Sequence, residues 1–223
     1  AFDLAAGCSG FVYSLAVASQ MVKSGLYNKI LIIGAETLSR IMNWTDRNTC
    51  VLFGDGAGAA VIGEVEDGYG VLGIDMGADG NGGQYLLQPA GGSRNPASEE
   101  TVAQNDHTIH MNGQEVFKFA IQIMGKTAKR ALANANMKPE ELDMLFPHQA
   151  NYRIITSAAK RLKMPMEKVW VNVDKYANTS AASIPIALCE AQKAGVLKKG
   201  DNIILDGFGA GLTWAAIVLK WSK

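Results

Sequence analysis

The chain has 223 residues, 48% hydrophobic and 19% charged, with 21 basic side chains balancing 21 acidic ones. That is enough apolar chain for one large core or two small ones, and the zero formal net charge leaves no basic excess for nucleic acid. No apolar run approaches the roughly 20 residues of a membrane-spanning helix, no signal peptide is visible, and three cysteines make no disulfide framework, which points to a reducing, cytoplasmic setting.

The chain opens without Met in an apolar run, Ala1-Phe2-Asp3-Leu4-Ala5-Ala6, that reads as a buried strand. Such an opening reads as the later part of a longer protein. Cys8 follows, ahead of a segment in which Phe11, Leu15, Ala18 and Val22 share one face at helical spacing. A cysteine at that junction lies at the positive end of a helix, where a thiolate is stabilised and the thiol pKa falls. Gly7, Ser9 and Gly10 leave room for another molecule to approach the sulfur. The competing reading is a small buried cysteine packed under a turn.

A strand is predicted at 29–34, then a polar stretch at 36–48. Phe53-Gly54-Asp55-Gly56-Ala57-Gly58 reads as a Gly-rich turn entering a strand. It does not open a helix, as a phosphate-binding loop must. Residues 77–105, rich in Gly, Asn, Ser and Pro, read as a long irregular surface excursion. A helix follows, with Asn112 and Glu115 as a capping pair. Phe117, Ala120, Ile121, Met124, Ala128 and Leu132 form its apolar stripe, and Phe117 stands where it can line a pocket mouth. Pro139-Glu140-Glu141 opens a short turn. Met144-Leu145-Phe146 is a short strand ending at Pro147-His148, before a helix carrying Ile154, Ile155, Ala158 and Leu162. His107 and His110 read as solvated. His148 sits at a strand end, where α/β folds place functional groups.

An internal repeat ties these pieces together. Cys8 stands as far before Lys23-Ser24-Gly25 as Asn178 does before Lys193-Ala194-Gly195. Each is preceded by a strand-like run, Val169-Trp170-Val171-Asn172-Val173 in the second case. Each is followed by a second strand, Ile30-Leu31-Ile32-Ile33-Gly34 or Ile203-Ile204-Leu205-Asp206-Gly207. Repeats at a fixed offset signal a duplicated architecture, and two equivalent helix starts can face one cleft. Cys8 is then a nucleophile, with His148 and Asn178 as polarising donors. Papain-type proteases use the same three residue types, but their local Cys motif, with tryptophan soon after the cysteine, is absent.

Three motifs resemble the active-site motifs of the β-ketoacyl-acyl carrier protein synthase III family: Ala6-Gly7-Cys8-Ser9-Gly10-Phe11, Pro147-His148-Gln149-Ala150-Asn151 and Tyr176-Ala177-Asn178-Thr179-Ser180-Ala181-Ala182-Ser183-Ile184-Pro185. The closing Gly207-Phe208-Gly209-Ala210-Gly211-Leu212-Thr213-Trp214 and the segment Thr45-Asp46-Arg47 resemble it as well. The resemblance implies an α/β thiolase-like fold of five layers, αβαβα, in two pseudo-symmetric halves. The first half, at 1–106, lacks its N-terminal strands here, and the second occupies 107–223. It implies an acyltransferase that condenses a short acyl-CoA with malonyl-acyl carrier protein through acyl-Cys8. His148 and Asn178 would hold the malonyl carbonyl, and the backbone N–H groups of Cys8 and Ala210 would form an oxyanion hole. Arg47, Phe117 and Asn151 would contact acyl-CoA, and Lys118, Arg153, Lys160 and Arg161 the acidic carrier protein. No metal or cofactor is implied. A homodimer is, joined near Phe2 to Ala5, together with a further segment of the same protein to complete the first sheet. Two other readings stand beside it: a starter condensing enzyme of a polyketide-type pathway, and a non-catalytic partner subunit.

Overall fold

The computed structural model describes all residues, Ala1–Lys223. A 3-10 turn at Gly7–Ser9 runs straight into α1 (Gly10–Lys23), which buries Phe11, Val12, Leu15, Ala18 and Val22. Gly25, at φ +75°, closes the helix in the left-handed region. Strand β1 (Lys29–Glu36) then pairs antiparallel with β2 (Gly56–Gly63). After these come β3 (Gly70–Ala78), β4 (Leu86–Leu87), α2 (Glu99–Ala103), β5 (His110–Met111), α3 (Gly113–Asn134), β6 (Met144–Pro147), α4 (Tyr152–Leu162) and α5 (Val173–Tyr176). A second 3-10 turn, Ser180–Ala182, enters α6 (Ser183–Lys193), and β7 (Asn202–Gly209) and β8 (Thr213–Lys220) end the chain.

The repeat in the sequence is a repeat in space. Turn, helix and antiparallel strand pair occur once as α1–β1–β2 and again as α6–β7–β8, and Gly195 (φ +68°) closes α6 as Gly25 closes α1. The larger sheet has the order β3-β8-β7-β6, with only β6 and β7 parallel. Helices α1 and α6 lie between that sheet and the β1–β2 ribbon, around Phe11, Leu15, Ile32, Ile184, Leu205 and Ile217. Helices α3 and α4 cover the other side of the larger sheet through Leu132, Leu145, Ile155 and Ile204. Four layers therefore stack in this chain. The outer face of β1–β2 carries no element, leaving Leu31 and Ile33 59% exposed and Val61 62% exposed.

Three expectations need correction. Ala1 to Ala6 form no strand, and Phe2 is 70% exposed, because no strand lies alongside to take up their N–H and C=O groups. The run at 169–172 makes one bridge only, Val169 to Leu145; beyond it the Gln149 side chain takes the Trp170 carbonyl and the Asn172 N–H. The excursion at 77–105 begins inside β3 and contains a 3-10 turn (Gly80–Tyr85), β4 and α2. The glycines of β3 look like loop residues but serve packing: Gly73 lies against the backbone of α3 and Gly77 against the Trp214 ring, places where a side chain would collide. Strand β3 pairs with β8 and so belongs to the larger sheet. The break between the two sheets falls between β2 and β3.

Candidate active site

The two turn–helix units meet at a cavity of about 940 Å³ whose walls include Cys8, His148 and Asn178 together, with Phe117 and Asn151. Backbone forms its floor. Gly7 is left-handed (φ +52°), and a Cβ there would come 2.9 Å from the Ala210 nitrogen. A Cβ on Gly209 would come closer still to the Cys8 nitrogen. Only glycine permits both approaches, and they bring the Cys8 turn against the Gly209-Ala210 loop. Ala210 is not among the left-handed residues, so its methyl group is compatible with that loop. Two hydroxyls knit the seam. Ser9 Oγ donates to the Ala6 carbonyl at 2.8 Å and lies 2.7 Å from Thr213 Oγ1, which sits 2.8 Å from the same carbonyl and 3.1 Å from that of Ala210.

Cys8 is buried, and burial pushes its thiol up to about 11, with the Glu36 carboxylate acting in the same direction. The Ser180 side chain and the Cys8 backbone N–H pull the other way and do not offset it. The lowered thiol pKa expected at a helix start is therefore not found: desolvation outweighs the helix terminus. Cys50 is partly buried, and Cys189 is exposed.

His148 extends the β6–β7 ladder by donating its N–H to the Asp206 carbonyl at 2.8 Å. Its ring is 1% exposed, packs edge-on to Phe208 at 5.5 Å between centroids, and has Nδ1 2.7 Å from Ser183 Oγ. Burial lowers its pKa to about 3, so the imidazole is neutral at any physiological pH.

Asn178 is held by its backbone, which bonds to Leu52 and Gly54 at 2.9 Å each. The preceding Ala177 (φ 56°, ψ −159°) and the nearby Ser180 (φ 48°) occupy conformations unusual for side-chain-bearing residues, and strain of this kind is tolerated where a site requires it. The Ser180 N–H donates to Asn178 Oδ1 at 2.9 Å. A backbone N–H can only donate, so that bond fixes the amide orientation and leaves Nδ2–H₂ as a donor. Two neutral donors and a thiol in one cavity can polarise a thioester carbonyl beside a nucleophile.

The remaining expected residues divide. Asn151 lines the cavity and caps α4, its Oδ1 accepting from Arg153 N–H at 2.8 Å. Phe117 lines it with the Arg153 guanidinium 5.1 Å above its ring. Arg47 is exposed and lies outside the cavity wall. Lys118 is paired with Glu115 at 2.6 Å, while Lys160 and Arg161 are exposed on α4. His107 is not solvated as expected: it is half-buried, 3.0 Å from Thr101 Oγ1. Sequence reasoning missed Ser183, Gln149, Asp46 and His110; the last two line the cavity. Ser183, Gln149 and Asp46 stood inside quoted motifs, but nothing in their spacing marked a role for them.

A cysteine, a neutral histidine and an asparagine lining one cavity, at the seam of a duplicated α/β fold, fit a thiolase-fold condensing enzyme. Two family models match the chain: 3-oxoacyl-(acyl-carrier-protein) synthase III over residues 2–80 and its C-terminal model over residues 132–221. The β-ketoacyl-(acyl-carrier-protein) synthase III of Caldanaerobacter subterraneus subsp. tengcongensis is 63% identical over 223 residues, which are 100% of this chain and 67% of that protein. The Clostridioides difficile protein of the same name is 58% identical over 222 residues, again 100% of this chain and 67% of its own length. The Thermus thermophilus crystal structure superposes with a TM-score of 0.90 at 48% identity, covering 99% of this chain and 68% of that one. The chain belongs to the β-ketoacyl-acyl carrier protein synthase III family, and it spans about two thirds of the length of these relatives.

Proposed function

We propose that this cavity carries out the initiating condensation of fatty acid synthesis. The observation that carries the reading is that Cys8, His148 and Asn178, from three separate elements, line one cavity. In the first stage the Cys8 sulfur attacks the thioester carbon of a short acyl-CoA. The new S–C bond replaces the bond to CoA, and the thiol proton leaves with the CoA sulfur. In the second, malonyl-acyl carrier protein loses carbon dioxide. The electron pair of the broken C–C bond passes to an enolate whose oxygen takes hydrogen bonds from His148 Nε2–H and Asn178 Nδ2–H. The enolate carbon then attacks acyl-Cys8, releasing 3-ketoacyl-acyl carrier protein and the cysteine. The backbone N–H groups of Cys8 and Ala210 serve the acyl-transfer stage. Each bond formed replaces one broken, so the sequence needs no redox cofactor and no metal.

The division of labour is testable. Cys8→Ala should abolish acylation by acyl-CoA, read by intact mass. His148→Ala and Asn178→Ala should lose decarboxylation of malonyl-acyl carrier protein by about 10²–10³, the cost of one missing oxyanion donor, while keeping most of the self-acylation. Equal collapse of both half-reactions in the two variants would contradict the assignment.

The rest of the reading rests on the family resemblance. Arg47 would meet the adenine end of CoA, Asn151 the pantetheine arm, and Lys118, Arg153, Lys160 and Arg161 the carrier protein, while Phe117 would gate the tunnel. No helix is long and apolar enough to cross a membrane, and the reaction belongs in the cytoplasm. The bare face and edge of β1 would be covered by a further segment of the same protein, and Phe2 to Ala5 by their copy in a second subunit. Sedimentation of the intact protein should give twice the protomer mass. A single protomer mass at micromolar concentration would overturn the pairing.

A further inference from the structure

We propose that Ser183 is a positioning residue for the condensation: its hydroxyl, donated to Nδ1 of His148, holds the imidazole as the Nε2–H tautomer, so that a donor rather than a lone pair faces the cavity. The inference rests on the reading of His148 as a carbonyl-polarising group.

A neutral imidazole carries one proton and has two places for it. Both rings of the tautomeric pair have the same shape, and only a neighbour's hydrogen-bonding needs distinguish them. Ser183 is that neighbour. It is the first residue of α6, is 2% exposed, and places Oγ 2.7 Å from Nδ1. Its Oγ has one other partner, the Gln149 backbone N–H at 3.4 Å, which is a donor and nothing else. One lone pair of the hydroxyl is thus occupied by Gln149. If Nδ1 also carried a proton, Oγ would face two donors, and its own hydrogen would be buried with no acceptor. Buried donors without partners are rare because they are costly. With Nδ1 bare, every group is satisfied: Gln149 N–H donates to Ser183 Oγ, Ser183 O–H donates to Nδ1, and the ring proton resides on Nε2.

The remaining surroundings do not compete for that proton. Phe208 presents its ring edge-on to the imidazole. The β7 residue beside it, Gly207, has no side chain, and a Cβ built there would lie 3.8 Å from His148 Cβ. Gln149 spends its side chain on the Pro147 and Trp170 carbonyls and the Asn172 N–H. The same motif that supplies Asn178 therefore supplies, five residues on, the group that sets the proton on His148. Both donors in the cavity are oriented from one stretch of chain.

Nitrogen-15 NMR of the protein labelled on histidine tests this directly, with the His148 signals among the three histidines assigned by substituting His107 and His110. The expected spectrum has His148 protonated at Nε2 and bare at Nδ1. Ser183→Ala should mix the tautomers and slow malonyl-acyl carrier protein decarboxylation about tenfold, below the loss of a whole donor, with self-acylation by acyl-CoA unchanged. Ser183→Thr, which keeps the hydroxyl, should restore both the spectrum and the rate. A wild-type His148 protonated at Nδ1 would overturn the inference whether or not any variant folds. So would a Ser183→Ala protein with wild-type spectrum and rate. A wild-type protein that neither acylates Cys8 nor decarboxylates the malonyl group would instead refute the underlying functional reading.

Discussion

Cys8 and His148 are buried beside the same cavity and respond to burial in opposite directions. Burial raises the thiol to about 11 and lowers the imidazole to about 3. Both shifts favour the uncharged form. For the donor role proposed for His148 that is the working form, since a neutral ring can donate without changing charge. For the nucleophilic role proposed for Cys8 it means that the thiolate must form as the acyl donor arrives. Alkylation of Cys8 by iodoacetamide should therefore climb about tenfold per pH unit through the neutral range and level off only near 11, because the thiolate is the reactive species. Glu36→Gln removes the negative charge that disfavours this thiolate, so the whole profile should move to lower pH. A plateau already reached by pH 8, or an unchanged profile in Glu36→Gln, would show that the charge balance around the sulfur is otherwise.

At the scale of elements, legibility in the sequence followed the kind of signal each element carries. Helices α1, α3, α4 and α6 announce themselves by apolar residues at helical spacing, and α1 and α6 also by the glycines that close them. Asn112 caps α3 as expected, accepting from the Glu115 N–H at 3.3 Å, although the Glu115 side chain turns to Lys118 rather than back to the cap. Strand β3 was illegible because Gly73 and Gly77 serve close packing and look like loop residues. Ala1 to Ala6 misled for the converse reason: an apolar run states a preference for burial, while a strand exists only when a neighbour completes its hydrogen bonds. The three central site residues were legible because each lies beside a turn or at a strand end. Ser183 and Gln149 were not, because a serine at a helix start and a glutamine after a histidine are ordinary until the tertiary fold supplies their partners.

Over the whole molecule, Asp206 connects the site to pH. It is fully buried in β7, neither carboxylate oxygen has a partner, and the nearby Trp214 Nε1 is equally unpartnered. Desolvation first, and the Asp75 charge second, raise its pKa well above the usual carboxylate range. The folded protein thus keeps a proton that the unfolded chain releases near pH 4. Folding stability is unaffected by this group below that pH and falls as pH rises from there toward the folded value. Asp206→Asn, neutral at every pH, should raise the melting temperature at pH 8 and leave it nearly unchanged at pH 4; the reverse pattern would contradict the assignment. His148 acts oppositely: the unfolded chain takes up a proton below about pH 6.5 that the buried ring refuses, so stability falls on acidification from there toward pH 3. The glycine floor has a different consequence. At Gly7 and Gly209, beside Cys8, main chain is pressed against main chain, so no exchange of side chains there can reshape the cavity. Tailoring the enzyme to a longer or branched acyl group is a matter for the rim, where Leu52, Leu86, Phe117 and Ile154 stand, and where a new shape can be drawn without disturbing the groups that do the chemistry.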